Sequence, residues 1–199
     1  MIDKNDPDMP IKPVKPVAEQ LILDFQHRPA LGLEDFFVSS SNRAAIELID
    51  NWPDWQMSAV YLAGPKGSGK SHLAHVWQVS SGAVIFSASE FCADDISGLE
   101  TILAVVIEDL DKGIQDEKSL FHLINLSREK GFHILFTGAA GPGQIEISLP
   151  DLRSRIRALT VVSIDAPDEM LLRTMMIKQF EDRQVEVSPQ LIEYLLPRM

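Results

Sequence analysis

Cysteine is almost absent from this chain: Cys92 is the single one in 199 residues, so no internal disulfide can staple the fold. Its setting, Glu90-Phe91-Cys92-Ala93, reads as a packed small residue rather than a nucleophile. Long apolar runs are missing as well. None approaches the roughly 18 residues that cross a bilayer, and Met1-Ile2-Asp3-Lys4-Asn5-Asp6 lacks the basic-then-apolar profile of a signal peptide. These absences point to a cytoplasmic protein. Positive charge is scarce, with 18 Lys and Arg against 29 Asp and Glu, a formal net charge of −11. A protein that grips DNA unaided gains affinity by neutralising phosphates, so direct duplex binding is disfavoured and only a local basic patch is compatible with the composition.

The first 18 residues carry too few apolar side chains to offset the entropy of ordering them, and they are punctuated by Pro7, Pro10, Pro13 and Pro16. They read as a disordered leader. A short apolar burst, Gln20-Leu21-Ile22-Leu23-Asp24-Phe25, stands at its end. Ser41-Asn42 can then cap a helix over 43–52, whose apolar residues recur at three and four and which Pro53 closes.

From residue 59 onward, β-branched runs alternate with helical patterns. Strands are expected near 59–62, 83–86, 103–107, 133–136 and 159–164, with a helix over 118–128 between the third and fourth. The alternation argues an α/β fold with a parallel five-stranded sheet flanked by helices. Pro167, with Asp168 and Glu169 behind it, starts a further helix, and Ser188-Pro189 starts another. That pattern is unfinished at Met199 and reads as a partial helical lid. The organisation is thus leader (1–18), apolar peptide (19–26), nucleotide-binding α/β domain (27–165) and partial lid (166–199). Gly138-Ala139-Ala140-Gly141-Pro142-Gly143 reads as a flexible connector, because no helical pattern opens behind it.

The densest chemistry lies in Gly64-Pro65-Lys66-Gly67-Ser68-Gly69-Lys70-Ser71, which fills every position of the G-x-x-x-x-G-K-[ST] phosphate loop. It follows an apolar strand and opens into a helical run, the context the motif needs. The glycines let backbone N–H groups curl around a phosphate at a helix N-terminus. Lys70 would reach the β- and γ-phosphates, and Ser71 would hold Mg²⁺. Ala104-Val105-Val106-Ile107-Glu108-Asp109 places two carboxylates at a strand end, expected on a neighbouring strand to complete the metal site. Thr137, ending the strand 134–136, is either a polar group facing the γ-phosphate or a strand-terminal turn residue. Arg153, Arg155 and Arg157 alternate ahead of the last strand and are either a solvated basic face or a source of an arginine finger, a guanidinium offered to a neighbour's nucleotide.

Phe37-Val38, Ser41-Asn42-Arg43, the phosphate loop with Ser71-His72-Leu73-Ala74, the Glu108-Asp109 strand end, Leu120-Phe121-His122-Leu123-Ile124-Asn125 and Leu152-Arg153-Ser154-Arg155 resemble the DnaA/Hda family of AAA+ proteins over residues 20 to 199. The chain is more similar to the family's regulators than to the initiators: it has no room for the initiator's C-terminal DNA-binding domain, and only a short link joins its second and third strands. Gln20, Leu21, Leu23 and Phe25 fit the Q-L-x-L-x-F peptide by which such regulators dock on the replicative sliding clamp.

The resemblance implies bound ADP or ATP with Mg²⁺, phosphate contacts from 64–71, and Phe37, Val38 and Asn42 near the adenine. It further implies Glu108 and Asp109 at the metal site, Thr137 as sensor and Arg155 as the finger. The implied partners are the initiator DnaA and the sliding clamp, with DNA reached only through the clamp; a homodimer is left open. The family order is Asp then Glu, for metal and for water activation, whereas here Glu108 precedes Asp109. That reversal implies weak intrinsic hydrolysis. The lid's second sensor arginine falls at or beyond the C-terminus, where Arg198 is a poor match. Two rival readings are a DNA-remodelling or helicase-loading ATPase, and a small-molecule kinase on the same loop.

Overall fold

The computed structural model describes residues 37–99, 101–185 and 187–196. Five strands, β1 (Ala59–Ala63), β2 (Val84–Ser87), β3 (Ala104–Glu108), β4 (His133–Gly138) and β5 (Thr160–Ser163), form one parallel sheet in the order β2-β3-β4-β1-β5. All five lie within a residue or two of the expected runs. The central strands are uninterrupted apolar runs because helices cover both faces, and every residue of β1 is buried.

Side-chain alternation divides the sheet between two cores. Val60, Leu62, Val106 and Leu135 face α1 (Arg43–Asp50) and α2 (Lys70–Ser81), where Leu73 and Trp77 fill the space. Tyr61, Val105, Ile107 and Phe136 face the other way, onto Leu123 and Ile124 of α4 (Glu117–Lys130) and Leu152 and Ile156 of α5 (Pro150–Arg157). A one-turn helix, α3 (Ala93–Ile96), has no counterpart among the expected elements. Cys92 stands at its N-cap, half-buried rather than packed in the core, and its N–H donates to Asp95 Oδ2.

The helix α7 (Pro189–Leu195) begins at Ser188-Pro189 as expected, whereas α6 (Glu169–Asp182) begins at Glu169 rather than Pro167, with Asp168 as its N-cap and not in its first turn. Asp168 accepts from the Leu171 N–H, and Ser188 from the Leu191 N–H. The cap expected of Asn42 is absent. Asn42 occupies the N-cap position of α1, but its side chain turns back to hold the preceding loop. The 138–143 connector is also more ordered than expected: it carries a 3₁₀ turn at Pro142–Gln144 and is tied to two neighbouring segments.

One topological expectation is corrected. The strand bearing Glu108 is not beside the strand that feeds the phosphate loop, because β4 lies between β3 and β1. Thr137 therefore sits between the loop and the carboxylates, opposite Leu62 of β1.

Candidate functional site

The phosphate loop leaves the carboxyl edge of β1 and runs directly into α2. Gly67 and Gly69 have φ of 82° and 98°, a left-handed backbone that glycine adopts at little cost. Gly64 is needed for space: a Cβ there would lie 2.4 Å from the Ile164 carbonyl oxygen and 2.7 Å from Ser68 Oγ. Lys70 is buried, and its Nζ donates to the carbonyls of Gly64 at 2.7 Å and Pro65 at 2.9 Å. Burial lowers its pKa, opposed chiefly by the charge of Asp111, then Asp109 and Glu108. Pro65, Lys66 and Gly67 form the exposed crest, and Ser71 is exposed in the first turn of α2.

Two buried polar atoms of this edge have no protein partner: Ser68 Oγ in the loop and Glu108 Oε1 at the end of β3. An unpartnered buried acceptor is costly, and both belong to elements that converge on the loop. Among the described residues no group of three or more His, Cys, Asp or Glu side chains could hold a metal by itself. Ser71 and Glu108, the residues the sequence assigns to Mg²⁺, would be the protein contributors to such an ion, which keeps much of its water and leans on few protein oxygens plus phosphate. Such an ion would neutralise charge on the phosphates.

Asp109 follows in a left-handed conformation, φ 58° and ψ 43°. Its carboxylate turns to Lys112, whose Nζ donates to Oδ2 at 2.6 Å, and it is 38% exposed. Its N–H donates to Thr137 Oγ1 at 3.2 Å. Thr137, 1% exposed, thus ties β4 to the end of β3.

Sequence reasoning missed Asp111 and Tyr61. Asp111 Oδ1 accepts from the Ala139 N–H at 2.9 Å, and the Tyr61 hydroxyl donates to the Ala140 carbonyl at 2.7 Å. Burial, reinforced by Asp111, pushes the Tyr61 pKa far above its ordinary range. The only trace in the sequence is a third acidic residue two places after Asp109.

Near the expected adenine position, a cavity of about 500 Å³ is lined by Phe37, His72, Met175, Lys178, Gln179 and Arg183 among others. The Lys178 ammonium stands 5.8 Å from the centre of the Phe37 ring. Val38 packs at the edge of the α1–α2 core. Asn42 accepts from the Ser39 N–H and donates to the Phe37 carbonyl, each at 2.8 Å. Its amide therefore braces the loop that carries Phe37.

The three arginines are helical, so their alternation does not make one face. At 100° per residue, Arg153 and Arg157 share one flank of α5 and Arg155 lies on the other. Arg155 is half-buried, its guanidinium 5.1 Å from the centre of the Phe121 ring. Arg153 and Arg157 line a separate groove of about 370 Å³ along the 143–148 segment. Gln20, Leu21, Leu23, Phe25 and Arg198 lie outside the described residues.

A parallel sheet in this strand order, with the phosphate loop at the edge of β1 and carboxylates at the end of β3, defines an α/β P-loop fold. Solved structures agree. A DNA replication initiation factor superposes with a TM-score of 0.74 at 18% identity, covering 86% of this chain and 60% of its own. AMPPCP-bound DnaA from Aquifex aeolicus gives 0.71 at 19% identity, covering 87% and 62%. No family model matches the chain. In sequence it is similar to the chromosomal replication initiator DnaA of a Nostoc species, 23% identical over 185 residues that cover 80% of this chain and 40% of that protein. An uncharacterised Haemophilus influenzae protein is 24% identical over 194 residues, covering 91% of this chain and 84% of its own. The chain is thus similar to DnaA proteins in sequence and in fold, and it spans about 40% of the length of the DnaA relatives it matches. No helix among the described residues is long and apolar enough to cross a membrane.

Proposed function

We propose that this chain is a regulator of replication initiation that binds adenine nucleotide, docks on the sliding clamp through Gln20 to Phe25, and offers Arg155 to ATP held by the initiator DnaA. The observation that carries the reading is Asp109. It is short, left-handed in backbone, and engaged by Lys112 at 2.6 Å, a poor arrangement for activating water over its own phosphate loop. Binding is better provided for than hydrolysis: Lys70, the loop glycines and the unpartnered Ser68 and Glu108 oxygens suit a phosphate and a hydrated cation. The AMPPCP-bound relative supports adenine as the base.

Arg155 does not fold back onto this chain's own phosphate loop. It stands on Phe121 of α4, across the sheet from α2, where a planar guanidinium can meet a neighbour's phosphates. An arginine supplied in trans contributes roughly 10³ to 10⁵ in rate. The test is hydrolysis of DnaA-bound ATP with this protein added, with and without DNA-loaded clamp. Stimulation that needs the clamp and is lost in Arg155→Ala supports the reading. Rapid hydrolysis by the chain alone, or full stimulation by Arg155→Ala, overturns it.

A further inference from the structure

The N-terminus of α5 has no side-chain cap of its own: Leu149 is the N-cap residue and Pro150 brings no N–H. The two residues that lead into it are held instead by another helix. Glu117, in the first turn of α4, accepts the Ser148 N–H on Oε1 at 2.8 Å and the Leu149 N–H on Oε2 at 2.6 Å. One turn further along α4, four positions on, Phe121 carries the Arg155 guanidinium. Residues four apart share a helix face. Neighbouring points on one face of α4 therefore hold the start of α5 and its arginine.

We propose that Glu117 is a positioning residue for Arg155: its paired bonds set where α5 lies along α4, and so where the guanidinium is held. The proposal rests on the reading of Arg155 as the group offered to a partner's nucleotide. The physical case is a division of labour. Leu152 and Ile156 are fully buried and decide which side of α5 faces the core, but apolar burial is non-directional and leaves sliding along α4 weakly opposed. Charge-assisted bonds to two successive N–H groups are short and directional. They act on a helix of only eight residues, so a shift at its start is carried rigidly to Arg155. The other end of the connector is tied through Asp111 and the Ala139 N–H, so both ends of the path from the Thr137 strand to α5 are held by residues that follow Glu108.

Two measurements test the proposal. In the first, the Arg155 side-chain protons are followed by NMR, because the Phe121 ring current displaces them. Glu117→Ala should move them toward the positions of a freely rotating arginine, and Glu117→Gln, which keeps one acceptor, should move them less. Unchanged Arg155 shifts in Glu117→Ala overturn the proposal whatever the activity.

In the second, stimulation of DnaA-bound ATP hydrolysis is titrated with the wild-type chain, Glu117→Ala, Arg155→Ala and the double variant. A misplacement of about 1 Å can cost on the order of 10²-fold. Glu117→Ala should therefore lower the maximal rate about 10- to 100-fold, leave the half-saturating concentration and ADP affinity unchanged, and add nothing to Arg155→Ala. A loss that persists in the Arg155→Ala background, or a lowered melting temperature with a full maximal rate, overturns it as well. If the wild-type chain does not stimulate DnaA at all, the reading of Arg155 falls, while the NMR result still decides what Glu117 does.

Discussion

Gly138→Ala is the sharpest structural perturbation, because it strikes where β4 meets the candidate site. A Cβ at Gly138 would lie 2.0 Å from Tyr61 Oη, 2.8 Å from Asp111 Oδ1 and 3.0 Å from Tyr61 Cζ. Tyr61 is fully buried, so its ring has no room to retreat and the strand end must move. Overpacking of this kind costs about 1 to 3 kcal/mol. Losing the Tyr61–Ala140 bond adds about 1 kcal/mol, and the stiffer unfolded chain returns about 0.4 to 1 kcal/mol. Taking the middle of each range, the net expectation is about 2 kcal/mol.

Tyr61→Phe removes the atom at the heart of the clash. Alone it should cost about 0.5 to 1.5 kcal/mol, since Ala140 is half-exposed and water can replace the hydroxyl. In the Tyr61→Phe background, Gly138→Ala should cost no more than about 1 kcal/mol, a coupling of about 1 to 2 kcal/mol that lies in the range for contacting residues. Urea unfolding measures this directly. With a slope of about 2 kcal/mol per molar, the Gly138→Ala variant should unfold near 1 M lower, and the double variant should recover much of that loss. Additive effects of the two substitutions would refute the contact as described.

Lys70→Ala should lose roughly tenfold to hundredfold in ADP affinity by calorimetry, the worth of one charge-assisted contact; equal affinity would remove Lys70 from the site. Replacing Leu23 and Phe25 by Ala should abolish clamp binding in a pull-down while leaving ADP binding intact, and survival of clamp binding would reject the leader peptide as the docking element. His133 is held below its ordinary pKa of 6.5 by burial beside Trp55. Between 6.5 and its lowered folded value the unfolded chain binds more protons, so stability should fall as pH drops through that window. Comparing unfolding at pH 7 and about pH 5 should show a smaller acid loss in His133→Gln than in the wild type; an equal loss would exclude His133 as a contributor.

Much of the fold is legible in the chain because its signals are local. A phosphate loop needs eight consecutive residues, a buried parallel strand is a short apolar run, and the cap of α7 is a single residue, Ser188, bonded three positions on. Strand order is not local, and its absence from the sequence explains the principal misplacement: the pattern puts Glu108 beside the loop strand, whereas β4 intervenes. The side-chain contacts that organise the site span the same gaps. Asp109 meets Thr137 across 28 positions, Glu117 meets Leu149 across 32, and Tyr61 meets Ala140 across 79. Alternation could single out three arginines, but only the packing of Leu152 and Ile156 against the sheet decides that Arg155 stands on Phe121 while Arg153 and Arg157 turn to the other flank. The sequence by itself determined the elements and the phosphate loop, since hydrogen bonding within a turn and periodic burial act over a few residues. Tertiary structure decided which carboxylate, hydroxyl and guanidinium meet, because those partners are brought together only when the sheet closes its order and buries both faces.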